Sequence, residues 1–483
     1  MTTSWQISVE FSDFLWYKIK IQDTRLVTFF YGGLMGKLFG TDGVRGVANV
    51  YPMTAEITMQ IGRAVAHYCK HHKYRHRIVI GKDTRLSGYM IENALVAGIC
   101  SMGVDALLVG PMPTPAISFL TTDLKADAGI VISASHNPFQ DNGIKIFNRD
   151  GYKLPDDVEN QIEEMIFSKS IDALRPTAEE VGKAFRIDDA RGRYITFLKK
   201  TFPNELNLEG LKIVIDCGNG ATYRIAPCIF EELGAKVIVM NNNPDGKNIN
   251  ANCGALHPEV MAREVIKEKA DVGLAFDGDG DRCIAADEKG ETVTGDRMLA
   301  ICTNTLKKDG KLKNDILVST VMSNLGLTMF CKHLNIGHVT TNVGDRYVLE
   351  EMLKKGAIIG GEDSGHIIFL DHHNTGDGLI SALQLLASLK KENKPFSQVA
   401  QMMKIYPQNT INVQVKSKPE LSAEAEIMHA VREAENELKD QGRILVRYSG
   451  TQMLCRVMVE AATQELADKL ANRVAGIVKN KLS

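Results

Sequence analysis

The chain has 483 residues, 44% apolar and 24% charged, with a formal net charge of −2, which is enough for three or four domains of ordinary globular composition. No basic excess marks a nucleic-acid binder, and no uninterrupted apolar run of about 18 residues marks a membrane span. The nine cysteines are scattered without a Cys-x-x-Cys pair, which suits reduced structural thiols in a cytoplasmic protein.

Residues 1–34 differ from the rest. They hold both tryptophans, Trp5 and Trp16, together with Phe11, Phe14, Tyr17, Phe29, Phe30 and Tyr31. Glu10, Asp13, Lys18, Lys20, Asp23 and Arg25 interrupt every apolar run, so this is not a secretory signal. Met35 is followed at once by GKLFGTDGVRG, so the stretch reads as an extension before an organised domain.

From there one pattern occurs three times. An apolar strand, a turn and a helix-like segment open each unit, at 77–88 (RIVIGKDTRLSG), 211–223 (LKIVIDCGNGATY) and 314–326 (NDILVSTVMSNLG). A second strand follows at 103–115, 234–246 and 336–347, and a third at 126–138, 270–282 and 356–366. Buried strands alternating with helices predict parallel-sheet α/β units, whose chemistry collects beyond the strands' carboxyl ends. Each third strand ends in a different polar loop: SHNP, DGDGD and GEDSGH.

After about residue 408 the pattern changes. Strands are predicted at 409–416, RILVRYSG and LCRVMVEA. Ser417 and Glu420 at capping-box spacing predict a helix start, with Ile427, Val431, Ala434 and Leu438 on one face. A last helix is expected from about Gln464. The boundaries are therefore 1–34, 35–190, 191–295, 296–408 and 409–483: an extension, three related α/β domains, and a smaller α+β domain round a shared cleft.

The loops suggest their chemistry. Asp277, Asp279 and Asp281 alternate with glycines, and carboxylates so arranged converge on a hard divalent cation, Mg²⁺ or Ca²⁺. An EF-hand fits positions 1, 3, 5 and 12 (Glu288), but Arg282 stands where its sharp turn needs glycine, and the flanks are strand-like. Ser135, after a buried strand and before His136, Asn137 and Pro138, is expected to be exposed and rigidly presented. No Gly-x-Ser-x-Gly elbow supports a hydrolase triad, and a serine facing a metal site points to phosphoryl transfer. Lys145 could move protons if its pKa is lowered. Glu362, Ser364 and His366 suit hydrogen bonding to a polyol. Arg447, Ser449, Gly450 and Thr451 suit a phosphate cradle, and Arg45 lies on another glycine-flanked turn. CKHHKYRH (69–76) reads as a solvated helix end, and NNNPDGKNINANCG (241–254) as loop.

Together these stretches resemble the α-D-phosphohexomutase family over about residues 36–483. FGTDGVRGVAN, SASHNP with DNGIK, DGDGDR, GE-x-SGH and R-x-SGT occur in that family's order. The resemblance implies four domains, the first three sharing one fold. It implies that Ser135 carries the transferable phosphoryl group and that Asp277, Asp279 and Asp281 hold Mg²⁺ with the phosphoserine. Lys145 and Arg45 become acid/base and charge-stabilising groups, with His136 nearby. Glu362, Ser364 and His366 face the sugar with Arg282, while Arg447, Ser449, Gly450 and Thr451 hold the non-reacting phosphate.

The implied substrate is a small hexosamine phosphate, turned over through a 1,6-bisphosphate. Glucosamine 1,6-bisphosphate or another hexose 1,6-bisphosphate is the implied activator, and the product is expected to feed amino-sugar nucleotide and cell-wall precursor synthesis. NTGDGLISALQLL and VGDRYV carry the hexosamine preference; mannose and glucose phosphates are the alternative. A non-catalytic sugar-phosphate sensor and a metal-dependent phosphatase are the rivals from other classes. No nucleic-acid or membrane partner is expected, and the chain is a monomer or homodimer. One departure stands out: Gln452-Met453 replace the family's usual Glu-Pro after the phosphate loop, which predicts weakened phosphate binding at most.

Overall fold

The computed structural model describes residues 16–19, 27–30, 38–40, 42–70, 75–449 and 453–483. Most of the 1–34 extension, and Gly450, Thr451 and Gln452 of the RYSGTQ loop, lie outside them. In the extension, strands Trp16–Ile19 and Val27–Phe30 pair as an antiparallel hairpin.

The threefold pattern becomes three sheets of one design. In the first, the parallel strands Asp105–Pro111, Arg77–Lys82 and Ala128–Ile132 lie side by side with Arg77–Lys82 in the middle. In the second the order is Lys236–Met240, Lys212–Asp216 and Val272–Phe276. In the third it is Gly337–Thr341, Ile316–Thr320 and Ile359–Gly361. Each first strand is central because its two parallel partners return through helical crossovers on either side.

Beyond each third strand the sheet turns antiparallel, through Asp141–Asn148, Cys283–Asp287 and Ile367–Phe369. The sheets are therefore mixed. The loop at that reversal is the polar one in every unit, so the same topological position presents Ser135, the three aspartates and Glu362.

One continuous apolar core runs through the three units, from Val79 and Phe147 through Phe230 and Phe276 to Leu383 and Met403. Helices Ala190–Thr201 and Gly378–Glu392 are packed into it. The second starts at Asp377, whose carboxylate accepts from the N–H groups of Leu379 (2.9 Å) and Ile380 (3.1 Å), a cap worth about 1 kcal/mol. Its other oxygen accepts the buried Tyr194 hydroxyl at 2.6 Å, tying the second unit to the third. All nine cysteines are free thiols. Among the described residues, no helix is long and apolar enough to cross a membrane.

The last unit has a core of its own. Its antiparallel sheet runs Gln408–Gln414, Leu454–Glu460, Arg443–Tyr448, covered on one face by helices Ala425–Leu438 and Gln464–Leu482. The first helix begins at Ala425, not near Ser417; a short 3₁₀ turn, Leu421–Ala423, intervenes. The Ser422 hydroxyl donates to Glu420 at 2.6 Å, so Glu420 serves that turn and forms no capping box. The unit is tied to its neighbour by the buried Glu460, which accepts from Leu325 N–H at 2.8 Å and pairs with Arg443.

Candidate active site

The three reversal loops meet in one cleft of about 560 Å³, lined by Asp42, Arg45, Ser135, Asp281, Arg282, Asp345, Glu362 and His366 among others. Ser135 lies on it but is only 2% exposed, so the expected exposed presentation is corrected. Strand Ala128–Ile132 runs buried into the loop, and Ser135 takes a left-handed backbone, φ 51°. Its N–H donates to Ser133 Oγ at 2.9 Å. Its carbonyl accepts from Arg85 Nη2 at 2.8 Å and Asn250 Nδ2 at 2.9 Å. The hydroxyl is left facing the aspartate loop and donates to Asp277 Oδ2 at 2.7 Å.

Gly278 makes that approach possible. A Cβ there would stand 2.7 Å from both the Ser135 carbonyl oxygen and Asn250 Nδ2, so any side chain would push the loops apart.

Asp277, Asp279 and Asp281 are all buried, with one oxygen from each within 4.8 Å of the others. The flanking segments are strands, Val272–Phe276 and Cys283–Asp287, and Glu288 instead accepts from Ser397 N–H at 3.0 Å, so the EF-hand alternative is excluded. Burial, then the neighbouring Asp281 and Asp279, push the Asp277 carboxyl well above its ordinary pKa. Burial also opposes ionisation of Asp279, but Lys145 at 3.1 Å and the Thr114 hydroxyl at 2.6 Å outweigh it and hold that carboxyl low. Asp279 Oδ1 and Asp281 Oδ1 are buried without hydrogen-bond partners among the described residues. Converging oxygens, two of them unsatisfied, fit a hard divalent cation.

Lys145 does not behave as expected. Burial alone would lower its pKa, but Asp279, Asp42 and Asp281 outweigh burial and raise it, so it is held as a cation. Arg45 pairs with Asp42 beside it. His136 Nδ1 lies 3.3 Å from Ser135 Oγ. Burial, then Arg282 and Arg45, bring its pKa down to about 4, so it is neutral near pH 7. Its ionisation is therefore expected to leave no limb in the kcat profile between about pH 5.5 and 8. A limb that vanishes in His136→Gln would contradict that.

Across the cleft, Glu362 accepts from Gly344 N–H at 3.0 Å, and His366 Nε2 lies 3.7 Å from Asp345 Oδ2. Arg282 lines the same space, while Ser364 is exposed beside it. Arg447 is not brought into this cleft. It lines a separate cavity of about 240 Å³ with Arg456, Asn412 and Met322. Ser449 N–H donates to the Leu454 carbonyl at 2.9 Å, and its own carbonyl accepts from Lys418.

Sequence reasoning missed the groups that hold the serine loop. Arg85 is fully buried, pairs with Asp83 and donates to the carbonyls of Ser135, Asn137, Pro138 and Asp141. Asn250 comes from the stretch read as plain loop. Arg85 follows the first unit's opening strand, a position where chemistry was expected in principle; its type alone did not reveal a structural clamp. Arg85→Met is expected to cost about 3–5 kcal/mol, because the buried Asp83 loses the cation beside it and four carbonyls lose their donor; urea unfolding measures it. Of the 69–76 stretch, residues 71–74 lie outside the described ones; helix Ala55–Cys69 ends there with Lys70 and Arg75 exposed, while Cys69 and His76 are buried and His76 Nδ1 lies 3.2 Å from Asp127.

Sequence models for phosphoglucomutase/phosphomannomutase match in order: alpha/beta/alpha domain I over residues 36–172, II over 192–290, III over 294–406 and the C-terminal domain over 411–477. The chain is 60% identical over 448 residues to a phosphoglucosamine mutase of Syntrophus aciditrophicus, covering 93% of this chain and all of that one. It is 59% identical to a phosphoglucosamine mutase of a Geobacter species, covering 93% and 99%. The chain belongs to the phosphoglucomutase/phosphomannomutase family.

Solved structures share that family's fold at much lower identity. A phosphoglucomutase/phosphomannomutase family protein from Burkholderia thailandensis superposes with a TM-score of 0.76 at 24% identity, over 92% of this chain and 98% of that one. N-acetylphosphoglucosamine mutase of Aspergillus fumigatus, solved with GlcNAc-6P and magnesium, gives 0.62 at 18%, over 92% and 96%.

Proposed function

We propose that this protein is a phosphoglucosamine mutase, interconverting glucosamine 6-phosphate and glucosamine 1-phosphate through phosphorylated Ser135 and a 1,6-bisphosphate. The observation that carries the reading is the buried Ser135 hydroxyl, 2.7 Å from Asp277 within three converging carboxylates and open to one cleft with Glu362 and His366. The names of the relatives near 60% identity support the substrate.

In this reading Ser135 passes its phosphoryl group to the free sugar hydroxyl, and the bisphosphate turns round. The serine oxygen then takes back the phosphoryl group originally on the substrate. Lys145 and Arg45 supply fixed positive charge where phosphoryl oxygens gather, since a loose, charge-rich transition state is served by position and charge. Mg²⁺, held by Asp277, Asp279 and Asp281, would supply charge neutralisation at the phosphoserine. Lys145, held charged, serves better as an electrostatic group or proton donor than as a resting base. Glu362, Ser364, His366 and Arg282 receive the sugar; Arg447 and Ser449, with Gly450 and Thr451, are the groups for the distal phosphate, which they reach only when the C-terminal unit moves from its separate cavity towards the cleft. A hexose 1,6-bisphosphate primes the serine. The setting is the cytoplasm, and the product serves amino-sugar nucleotide and cell-wall precursor synthesis.

The test is turnover of glucosamine, mannose and glucose 6-phosphates with Mg²⁺ and a trace of hexose 1,6-bisphosphate. Fastest formation of glucosamine 1-phosphate supports the reading; preference for mannose or glucose overturns the substrate. Inorganic phosphate accumulating in step with substrate loss would identify a phosphatase instead.

A further inference from the structure

Lys153 belongs to no motif that pointed to the site, yet its ammonium joins two sides of the cleft. Its backbone bridges to Phe147, placing it on a turn folded back over the strand that carries Lys145. Its Nζ lies 2.5 Å from Asp42 Oδ1, in the first unit, and 2.5 Å from Asp345 Oδ2, in the third. Asp42 uses its other oxygen for Arg45 and, at 3.1 Å, for Lys145. Asp345 opens helix Asp345–Lys355 and stands 3.7 Å from His366 Nε2.

Charges therefore alternate across the cleft from the transfer centre towards the sugar loop, Lys145, Asp42, Lys153 and Asp345, with the His366 ring beside the last of them. The row matters because the two ends must keep one spacing through two different half-reactions. The bisphosphate has to leave its first pose and be caught in a second with its other phosphate at Ser135. A misplacement of about 1 Å can cost on the order of 100-fold in rate, and a wider cleft also lets the intermediate escape, leaving Ser135 unphosphorylated. A single cation shared by two half-buried carboxylates is a short spacer, and the Gly344 N–H bond to Glu362 ties the same loop to the sugar site.

We propose that Lys153 is a positioning residue which, by bridging Asp42 and Asp345, sets the spacing between the phosphoserine and sugar loops and so retains the bisphosphate intermediate between half-reactions. The inference rests on the mutase reading. It predicts that Lys153→Met raises the concentration of glucose 1,6-bisphosphate needed for half-maximal activity by about tenfold or more and releases labelled bisphosphate during turnover. Lys153→Arg, which keeps the charge, recovers most of the retention. Asp345→Asn shows the same defect, and the double variant with Lys153→Met adds little to it.

A loss of stability alone would lower the active fraction without changing the activator requirement, so the requirement separates the two roles. Lys153→Met or Asp345→Asn with a wild-type activator requirement and no released bisphosphate overturns the proposal, as does a double variant whose effects multiply. Should Lys153→Met not fold, Asp345→Asn alone decides between the two roles by the same two readouts. Failure of the wild type to turn over any hexose phosphate overturns the mutase reading and this inference with it.

Discussion

Ser135→Ala is expected to lower glucosamine 6-phosphate turnover by on the order of 10⁴-fold or more, with little change in fold. The hydroxyl makes one strong contact, to Asp277, and the carbonyl contacts that hold the loop are made by the backbone and survive the substitution. Thr114 is the other hydroxyl against the carboxylates, but it is buried and committed to Asp279 at 2.6 Å. Wild-type protein should carry phosphate after incubation with labelled bisphosphate, and the variant none. Turnover within tenfold of wild type would remove Ser135 from the mechanism.

Asp277→Asn should separate chemistry from stability. Turnover is expected to fall by roughly 10³-fold, and the rise in Tm on adding Mg²⁺ should vanish. In metal-free protein the effect runs the other way. The folded-state pKa of Asp277 is raised, so the native state binds its proton more tightly than the unfolded chain does. Stability of the metal-free wild type therefore declines as pH rises from the ordinary carboxylate range towards that raised value. The variant lacks this decline, and saturating Mg²⁺ cancels it in the wild type. Melting in EDTA and in Mg²⁺ across that range measures both effects. A variant that melts well below wild type in EDTA near pH 7, or that keeps the Mg²⁺ shift, would contradict the argument.

The architecture was legible because strand–turn–helix spacing recurs at 77, 211 and 314, and a polar loop ends each third strand. The aspartates were legible as a cluster because like charges at alternate positions must be relieved by a cation or a proton wherever they fold. Groups whose importance arises only in three dimensions were not legible. Arg85 lies 50 residues before the carbonyl it holds and Asn250 lies 115 after it; nothing local distinguishes either. The Lys145 shift depends on Asp42 and Asp279, which arrive from two separate units, so its direction could not be read from DNGIK. The capping pattern at Ser417 and Glu420 failed because a 3₁₀ turn claimed Glu420 first. Arg447 opens onto a different cavity from Glu362 and His366, a separation that spacing along a chain cannot express.

Backbone shape at residue 135 also selects between two chemically equivalent alcohols. Threonine would offer the same oxygen to the same carboxylate. At φ 51°, however, a β-branched side chain is a steric outlier, and the carbonyl cannot rotate away while Arg85 and Asn250 hold it. On the mutase reading, the identity of the phosphoryl acceptor is thus decided by a torsion angle and two hydrogen bonds made behind it, and a hydroxyl of equal reactivity is shut out by a single methyl group.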